Sequence, residues 1–365
     1  MEFFNTHISK KSIELANKVL NSTFVSAGKI ADQFEKELTN KLGIINPVSV
    51  NSSTSALHLG LTVANVGPGD EVILPAQTFI ASGMTILLRG AKPVFADIQL
   101  ETGNISPQSI KEKITERTKV IMPVHWAGYP CDLDEINKIA KENNLSVLED
   151  AAHALGAIYK NKPIGTISDF TSFSFQAIKH ITTGDGGALC CLNDEDADRA
   201  KKMRWYGIDR NNSLPSILGE REYDITEIGY KYHMNDLAAA VGIGNLDEVP
   251  KILARRREIA AKYFDELKNV PGLTLLNYQK DRVCSFWIFQ ILVEKREDFI
   301  RSLKKKNIPS SVVHLRIDKN SVFGGVTPGL TNQEIFNEKQ ISIPIHQALS
   351  DEDVELIIKT IKQGW

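Results

Sequence analysis

Residues 71–98 read EVILPAQTFIASGMTILLRGAKPVFADI, in which two short apolar runs flank a longer segment of helical character. EVILPA and PVFADI predict strands, and Thr78–Arg89 between them predicts a helix. Upstream, PVSVN (Pro47–Asn51) predicts a strand and Ser55–Val66 a helix that a GPG turn closes. Downstream, KVIMPV, LSVLED and FTSFSF predict strands, and LDEINKIAKENN predicts a helix. Strands that alternate with helices indicate an α/β fold with a mainly parallel sheet flanked by helices.

The pattern changes near Pro250. Lys251–Val270 predicts a long charged helix with one apolar stripe. CSFWIFQILV then predicts a strand, EDFIRSLKKKN a helix, and a final helix begins at about Asp351. We therefore expect a large domain over residues 1–249 and a smaller C-terminal α+β domain over residues 250–365.

Composition argues against several classes of function. The chain has 365 residues and a formal net charge of −2, which gives no support for nucleic-acid binding. No apolar stretch approaches the roughly 20 residues that span a bilayer, and the N-terminus lacks the pattern of a signal peptide. The four cysteines form no Cys-x-x-Cys pair, so neither a metal site nor a disulfide framework is predicted. These features favour a cytoplasmic protein with reduced cysteines that binds neither nucleic acid nor membranes.

A polar segment, Asn51–Ser55, lies between a predicted strand and a predicted helix. The first turn of a helix presents free N–H groups and a positive dipole end, which together bind phosphate. The hydroxyls of Ser53 and Thr54 can add hydrogen bonds to such a group. The alternative is that these residues only cap the helix, which is the commonest use of serine and threonine at this place.

Two further candidates follow apolar strands. Asp150 ends LSVLED, where a carboxylate can meet a buried cationic nitrogen, and His153 lies three residues on. Phe79 follows EVIL and can stack on a planar ring. The alternatives are a helix cap and a satisfied histidine in the first case, and an ordinary core aromatic in the second.

A lysine follows the FTSFSF run. Lys179 precedes Thr-Thr-Gly-Asp-Gly-Gly, whose glycines allow close approach of the backbone to a ligand. A lysine held near apolar and cationic groups loses its proton and becomes a nucleophile toward an aldehyde. Ser174, five residues earlier, can face a phosphate. The alternative is a solvated lysine beside a turn.

Seven segments in order, over nearly the whole chain, resemble the nucleotide-sugar aminotransferases of the DegT/StrS family. This family depends on pyridoxal phosphate (PLP) and has aminotransferase fold type I. The segments are FVSAGKIADQFEKELTNKLG, NSSTSALHLGL, GPGDEVILPAQTFIAS, LEDAAHALGA, SFSFQAIKHITTGDGGAL, GYKYHMNDLAAAVG and IPIHQALSDEDVELII. Seven segments in the family's order are far more specific than any one of them.

The resemblance implies a role for each candidate. Lys179 matches the lysine that forms the Schiff base with PLP and later moves the proton. Asp150 matches the partner of the pyridine nitrogen, and His153 lies where the family has Gln or His near the phenolic oxygen. Phe79 matches the aromatic residue that stacks on the ring. The positions that match phosphate contacts are Ser53, Thr54 and Ser174.

The resemblance also implies a shared site and a sugar pocket. GYKYHMND matches a segment that reaches the neighbouring subunit's cofactor, so a homodimer is expected. Lys231 stands there in place of a frequent Asn that touches the phosphate, and His233 in place of a frequent Arg, so the chain departs from the family at both positions. Ser53 replaces a frequent Gly, a milder departure. The expected substrate contacts are Arg210, in the segment Trp205–Arg210, and His314 and Arg316, in a stretch that lines the sugar pocket in relatives.

The implied reaction moves an amino group from an amino acid, expected to be L-glutamate, to a nucleotide-linked keto-sugar. Such a reaction belongs to deoxyamino-sugar biosynthesis, for surface polysaccharide or antibiotic sugars. Two alternatives stay open. Some relatives are PLP-dependent sugar dehydratases with His at the lysine position, and Lys179 argues against this. A non-catalytic regulator would have no need of Lys179, Asp150 and His153 together.

Overall fold

The computed structural model describes residues 1–209 and 213–365, and it contains the predicted strand-helix-strand unit. Glu71–Pro75 and Lys92–Ala96 are parallel strands paired in register from Glu71–Lys92 to Pro75–Ala96. The helix between them covers Ile80–Leu88, and Phe79 is its N-cap residue. The prediction from the apolar runs is therefore confirmed, with bounds shifted by one or two residues.

The helices and strands alternate along the first two thirds of the chain. The helices are α1 (Lys10–Ser22), α2 (Lys29–Leu42), α3 (Ser53–Val63), α4 (Ile80–Leu88), α5 (Pro107–Lys113), α6 (Leu133–Glu142), α7 (Asp194–Met203), α8 (Asp236–Leu246), α9 (Val249–Leu267), α10 (Arg296–Lys304), α11 (Thr331–Lys339) and α12 (Asp351–Lys362). The strands are β1 (Pro47–Val50), β2 (Glu71–Pro75), β3 (Lys92–Ala96), β4 (Thr118–Ile121), β5 (Ser146–Asp150), β6 (Ile158–Tyr159), β7 (Lys162–Pro163), β8 (Phe170–Ser174), β9 (Gly187–Cys191), β10 (Leu214–Pro215), β11 (Arg221–Glu222), β12 (Leu273–Leu275), β13 (Arg282–Val283), β14 (Phe289–Val293) and β15 (Gln340–Ile343).

A seven-stranded sheet forms the centre of the molecule, in the order β1-β9-β8-β5-β4-β2-β3. The pairs β5–β8, β4–β5, β2–β4 and β2–β3 are parallel, whereas β9 runs antiparallel to both β8 and β1. The predicted α/β fold with a mainly parallel sheet and flanking helices is thus confirmed. The parallel strands end at one edge of the sheet, and ligands of such sheets bind beyond that edge.

One of the helices that flank the central sheet, α3, is buried on all sides. From Ser55 onward every residue of α3 is buried, and its apolar side chains pack against strands of the sheet and against α4. A helix that is apolar all round requires such a position. The burial fixes the first turn of α3 against the carboxyl edge of the sheet.

A second sheet, β12-β14-β15, is antiparallel and lies in the C-terminal part of the sequence, where α9, α10 and α12 contribute to the same hydrophobic cluster. The strand predicted over CSFWIFQILV is wrong in its first half. Phe286 has a φ of 49°, and Ser285 and Trp287 donate backbone hydrogen bonds to Gly128 and Ala127 rather than to a strand. The domain boundary after residue 249, where α9 begins, stays a prediction.

The four cysteines are buried and free. Within residues 1–209 and 213–365 no helix is long and apolar enough to cross a membrane. The described part of the chain also holds no group of three or more His, Cys, Asp or Glu side chains placed to bind a metal ion.

Candidate active site

The predicted site residues gather at the carboxyl edge of the central sheet. Asp150 is the last residue of β5, Ser174 is the last of β8, and Phe79 follows β2 as the N-cap of α4. Lys179 lies in the connection between β8 and β9, which returns the chain to the same edge. This is the place where an open α/β sheet holds its ligand.

Lys179 lies in a tight loop that backbone hydrogen bonds close. Its N–H donates to the carbonyl of Gln176 at 2.9 Å, and Thr183 N–H donates to the carbonyl of Phe175 at 2.9 Å. The ammonium nitrogen Nζ lies 3.6 Å from the ring centroid of Trp287. Burial lowers the pKa of Lys179 to about 7, against the opposing effect of the Asp150 charge. The amine is therefore available in its neutral, nucleophilic form near pH 7.

Asp150 is buried and held by two donors. The hydroxyl of Ser82 donates to Oδ2 at 2.7 Å, and the N–H of Ala152 donates to Oδ1 at 3.1 Å. Burial raises the pKa of the Asp150 carboxyl, while these hydrogen bonds and the Lys179 charge act in the opposite direction. A cation placed against this carboxylate would lower its pKa again. A protonated pyridine nitrogen is such a cation.

His153 is stacked between aromatic groups of the site. Its ring lies 3.8 Å from that of Trp287 with an angle of 18° between the planes, and Trp126 meets it edge-on at 5.6 Å. Burial lowers the pKa of His153 well below its usual range, so the imidazole is neutral. Its buried Nδ1 has no hydrogen-bond partner within the described residues. A buried polar atom without a partner points to a ligand that completes it.

The candidate phosphate contacts lie around the first turn of α3. Ser52 caps this helix, since its hydroxyl accepts from the N–H of Ser55 at 3.0 Å. The hydroxyls of Ser53 and Ser172 are 3.0 Å apart, and Thr54 is exposed. Ser174 ends the strand that also contains Ser172. Its hydroxyl accepts a hydrogen bond from the N–H of Gln176 at 3.4 Å. The structure thus brings Ser53 beside the strand that ends at Ser174.

Phe79 and His314 form one wall of the site. The Phe79 ring is half exposed and tilted against the His314 ring at a centroid distance of 5.0 Å. His314 also stacks toward His153 at 6.1 Å. Burial and the nearby Lys179 charge lower the pKa of His314 to about 4, so this ring is neutral as well. A partly exposed aromatic face at this edge of the sheet suits a planar ligand.

The structure does not bring the remaining predicted contacts that it describes, Lys231 and Arg316, into this cluster. Lys231 is exposed, with Nζ 5.4 Å from the ring centroid of Trp205, and its backbone pairs with Trp205. Arg316 is buried and forms two hydrogen bonds, of 2.7 and 2.6 Å, with the carboxylate of Asp318. Substrate contact by Arg316 therefore stays a prediction for a guanidinium that already has a partner. Arg210 lies outside the described residues.

Two residues of the site, Ser82 and Trp287, are not predicted from the sequence. Ser82 lies within an apolar helix, FIASGMTILL, where a lone serine is a weak signal of function. Trp287 lies in a run that resembles a core strand, and nothing in the run distinguishes it from an ordinary buried aromatic. Their contacts with Asp150 and Lys179 appear only when helix, loop and sheet are assembled.

These groups fit PLP. The cofactor carries an aldehyde, a pyridine nitrogen, a phenolic oxygen and a phosphate, and each has a chemical counterpart at this edge of the sheet. The counterparts are a lysine of lowered pKa, a buried carboxylate, an unpartnered imidazole nitrogen and the first turn of a helix. Together they define the class of protein as a PLP-dependent transferase.

Residues 6–362 match the model of the DegT/DnrJ/EryC1/StrS aminotransferase family, and the chain belongs to that family. Over 99% of its length it is 33% identical to the GDP-perosamine synthase of Escherichia coli O157:H7, of which the match covers 98%. These findings confirm the family and the enzyme class predicted from the sequence.

Solved structures agree with this membership. The sugar aminotransferase CalS13 from Micromonospora echinospora superimposes with a TM-score of 0.95, at 31% identity and full coverage of both chains. The PLP form of Spr1654 from Streptococcus pneumoniae has a TM-score of 0.91 at 32% identity, with coverage of 100% of this chain and 98% of the other. The predictions of fold type I, of PLP as cofactor and of a sugar aminotransferase are confirmed.

Proposed function

We propose that this enzyme moves an amino group from L-glutamate to a nucleotide-linked keto-sugar, in deoxyamino-sugar biosynthesis. The observation that carries the proposal is the Lys179 amine, whose pKa is lowered to about 7 beside the buried Asp150 carboxylate. Membership of the aminotransferase family supplies the type of reaction. The donor and the acceptor rest on the resemblance to nucleotide-sugar aminotransferases.

The side chains divide the work of the reaction. PLP, when bound, supplies the aldehyde that receives the amino group and a ring that withdraws electrons. Lys179 acts first as the nucleophile toward that aldehyde. Its Nζ, once released, would take the proton from the α-carbon of the donor and return it to the former aldehyde carbon of PLP, on the other side of the shared nitrogen. In the second half-reaction the same amine would carry a proton from that carbon to the carbon of the sugar that receives the amino group.

Asp150 and His153 would each hold a different polar atom of PLP. The Asp150 carboxylate keeps the ring nitrogen protonated, and its position is fixed by Ser82. The free Nδ1 of His153 is the group suited to the phenolic oxygen. Phe79 covers one face of the ring, and the phosphate is held by the first turn of α3 with Ser53, Thr54 and Ser174.

A nucleotide-linked acceptor fits the surroundings of this centre. GDP-perosamine synthase, by its name, is concerned with a sugar carried by GDP, and this chain matches it over nearly its full length. His314 already lines the site beside Phe79, and Arg210 and Arg316 are the cationic groups proposed for the acceptor. Arginine suits phosphate because its planar fork makes two parallel hydrogen bonds.

A homodimer with shared sites is part of the proposal. The hairpin β10–β11 exposes large apolar side chains, with Ile217 and Leu218 at relative exposures of 101% and 87%. Apolar side chains that extend from a short hairpin favour burial against another molecule. Lys231, nearby in sequence and exposed, is the residue expected to reach the partner's phosphate. Two-fold dimers are the commonest closed assembly.

We also place the enzyme in the cytoplasm. The four cysteines are unpaired and buried, as is usual for proteins of reducing compartments.

The test supplies ¹⁵N-labelled glutamate with a panel of keto-sugars, each offered with and without its nucleoside diphosphate. The product is identified by mass and NMR, and Lys179→Ala serves as the inactive control. We expect labelled amino-sugar only with Lys179 intact, and a higher kcat/KM for the nucleotide-linked form, because remote binding energy promotes the reaction. Equal efficiency toward the free sugar would reject the nucleotide requirement. Transfer to none of the keto-sugars would reject the acceptor class.

A further inference from the structure

Trp287 contacts the catalytic centre in three ways. Nζ of Lys179 lies 3.6 Å from the centroid of its ring, the His153 ring stacks on it at 3.8 Å, and its Nε1 donates to the carbonyl of Ile178 at 3.0 Å. Ile178 directly precedes Lys179. The indole therefore contacts both the peptide bond that precedes Lys179 and the Lys179 amine.

The backbone holds this indole in place. Phe286 has a φ of 49°, which turns the chain just before Trp287, and the Trp287 N–H donates to the carbonyl of Ala127 at 2.9 Å. Phe4, from the N-terminal segment, stacks on the indole at 5.3 Å. The ring is 1% exposed. It is a fixed surface on which a mobile lysine side chain can rest.

We propose that Trp287 is a positioning residue that holds the free amine of Lys179 over its ring whenever that amine is not bonded to the cofactor. The proposal rests on the function assigned to Lys179 above. The amine must leave the cofactor and still move protons in both half-reactions, so a defined resting place keeps it within reach. An indole face attracts an ammonium group through its quadrupole, and tryptophan does so most strongly.

In the described part of the chain, none of the other titratable groups that face Lys179 competes with its ammonium group for the Trp287 ring. Asp150 offers a negative charge, while His153, His180 and His314 surround the lysine with rings whose pKa values burial lowers, so that they are neutral. Neutral imidazoles supply no competing cation. The indole is thus an additional attraction for the charged form of the amine, alongside the carboxylate.

The experiment changes the ring's electrostatics without changing its shape. The full-length protein, free of cofactor, is produced with tryptophan or with mono-, di- or trifluorinated tryptophan, since fluorine weakens the negative potential of the ring face. Competitive acetylation over a range of pH, read by mass spectrometry, gives the titration midpoint of Lys179. The matched control is the same series in Trp287→Phe, which leaves the other tryptophans fluorinated.

We expect the midpoint to fall with each added fluorine, by about 0.3 pH units or more over the series, because the ring stabilises the ammonium form less. In the Trp287→Phe series the midpoint should not move. A constant midpoint in the first series, or an equal fall in both, would overturn the role of Trp287. The outcome is separate from the function of Lys179, since a label that PLP leaves on another lysine would reject that function without affecting this titration.

Discussion

The hydroxyl of Ser82 donates a 2.7 Å hydrogen bond to Oδ2 of Asp150, which links the first turn of α4 to the last residue of β5. Thr78 lies 2.7 Å from the same hydroxyl and extends the chain of hydrogen bonds. The carboxylate proposed to face the cofactor is therefore held from the helix as well as from its own strand. Its orientation depends on a residue that does not touch the reacting atoms.

Replacing Ser82 by alanine should impair catalysis through Asp150. A hydrogen bond to a charged group contributes about 1.5–3 kcal/mol, so kcat/KM should fall about tenfold to a hundredfold. The pKa of the Asp150 carboxyl should rise further, since one of the donors that oppose its burial is lost. Steady-state kinetics of Ser82→Ala measure the effect. Ser302→Ala is the matched control, because its hydroxyl bonds only to Phe299 of its own helix. Unchanged kinetics in Ser82→Ala would show that the strand alone orients Asp150.

The phosphate end of the site depends on a glycine. A Cβ added at Gly187 would lie 2.5 Å from the backbone nitrogen of Ser53, at the start of α3. Gly187→Ala should therefore displace this helix, lower the free energy of unfolding by about 1–3 kcal/mol and weaken PLP binding. Gly67→Ala is the control, because a Cβ there meets nothing within 4 Å. Denaturant unfolding and PLP titration measure both effects. If the two variants bind PLP equally well, the first turn of α3 is not the phosphate site.

The capture of PLP should depend on pH through Lys179. Only the neutral amine attacks the aldehyde, and the pKa of Lys179 is lowered to about 7. The rate for cofactor-free enzyme should rise about tenfold per pH unit below pH 7 and become constant above it, since a lowered lysine pKa leaves the neutral form in excess on the alkaline side. Stopped-flow absorbance measures this rate. A rate that still rises steeply between pH 8 and 10 would indicate a lysine of ordinary pKa.

The β10–β11 hairpin should hold two subunits together. Replacing Ile217 and Leu218 by serine removes about 1.5–3 kcal/mol per buried side chain, so the dimer should dissociate at concentrations at least tenfold higher than the wild type. Leu88→Ser is the control, because Leu88 is an exposed leucine at the end of α4. Sedimentation velocity over a dilution series measures the association. A wild-type chain that is monomeric and fully active would refute the shared site.

The sequence predicts those strands and helices that depend on the pattern of residues within the element itself. The β2-α4-β3 unit and the other parallel strands are predicted by short apolar runs, since β2, β5 and β8 are buried along nearly their whole length. In the edge strand β3 only Phe95 and Ala96 are buried. The positive φ of Phe286 could not be predicted in the same way. It depends on backbone hydrogen bonds to Ala127 and Gly128, which lie more than 150 residues away in sequence. An apolar run alone does not record such contacts.

The same limit applies to the site. Lys179, Asp150 and His153 follow strands that end at one edge of a parallel sheet, and the family resemblance selects the cofactor-binding role from the alternatives that the residues alone leave open. Ser82 and Trp287 were not, because one resembles a helix residue and the other a core aromatic until the packed structure brings them to Asp150 and Lys179. The ion pair of Arg316 with Asp318 was not predicted either, although only one residue separates the partners in sequence. A sequence shows which groups are present but not which are already paired.

We propose above all that Lys179 forms the covalent link to PLP. The most direct measurement reduces the PLP-loaded enzyme with borohydride and locates the attached cofactor by peptide mass spectrometry. We expect a phosphopyridoxyl group on Lys179 alone, and in Lys179→Ala neither this label nor measurable transamination. A label on a different lysine of the wild type, or transamination by Lys179→Ala at the wild-type rate, would contradict it.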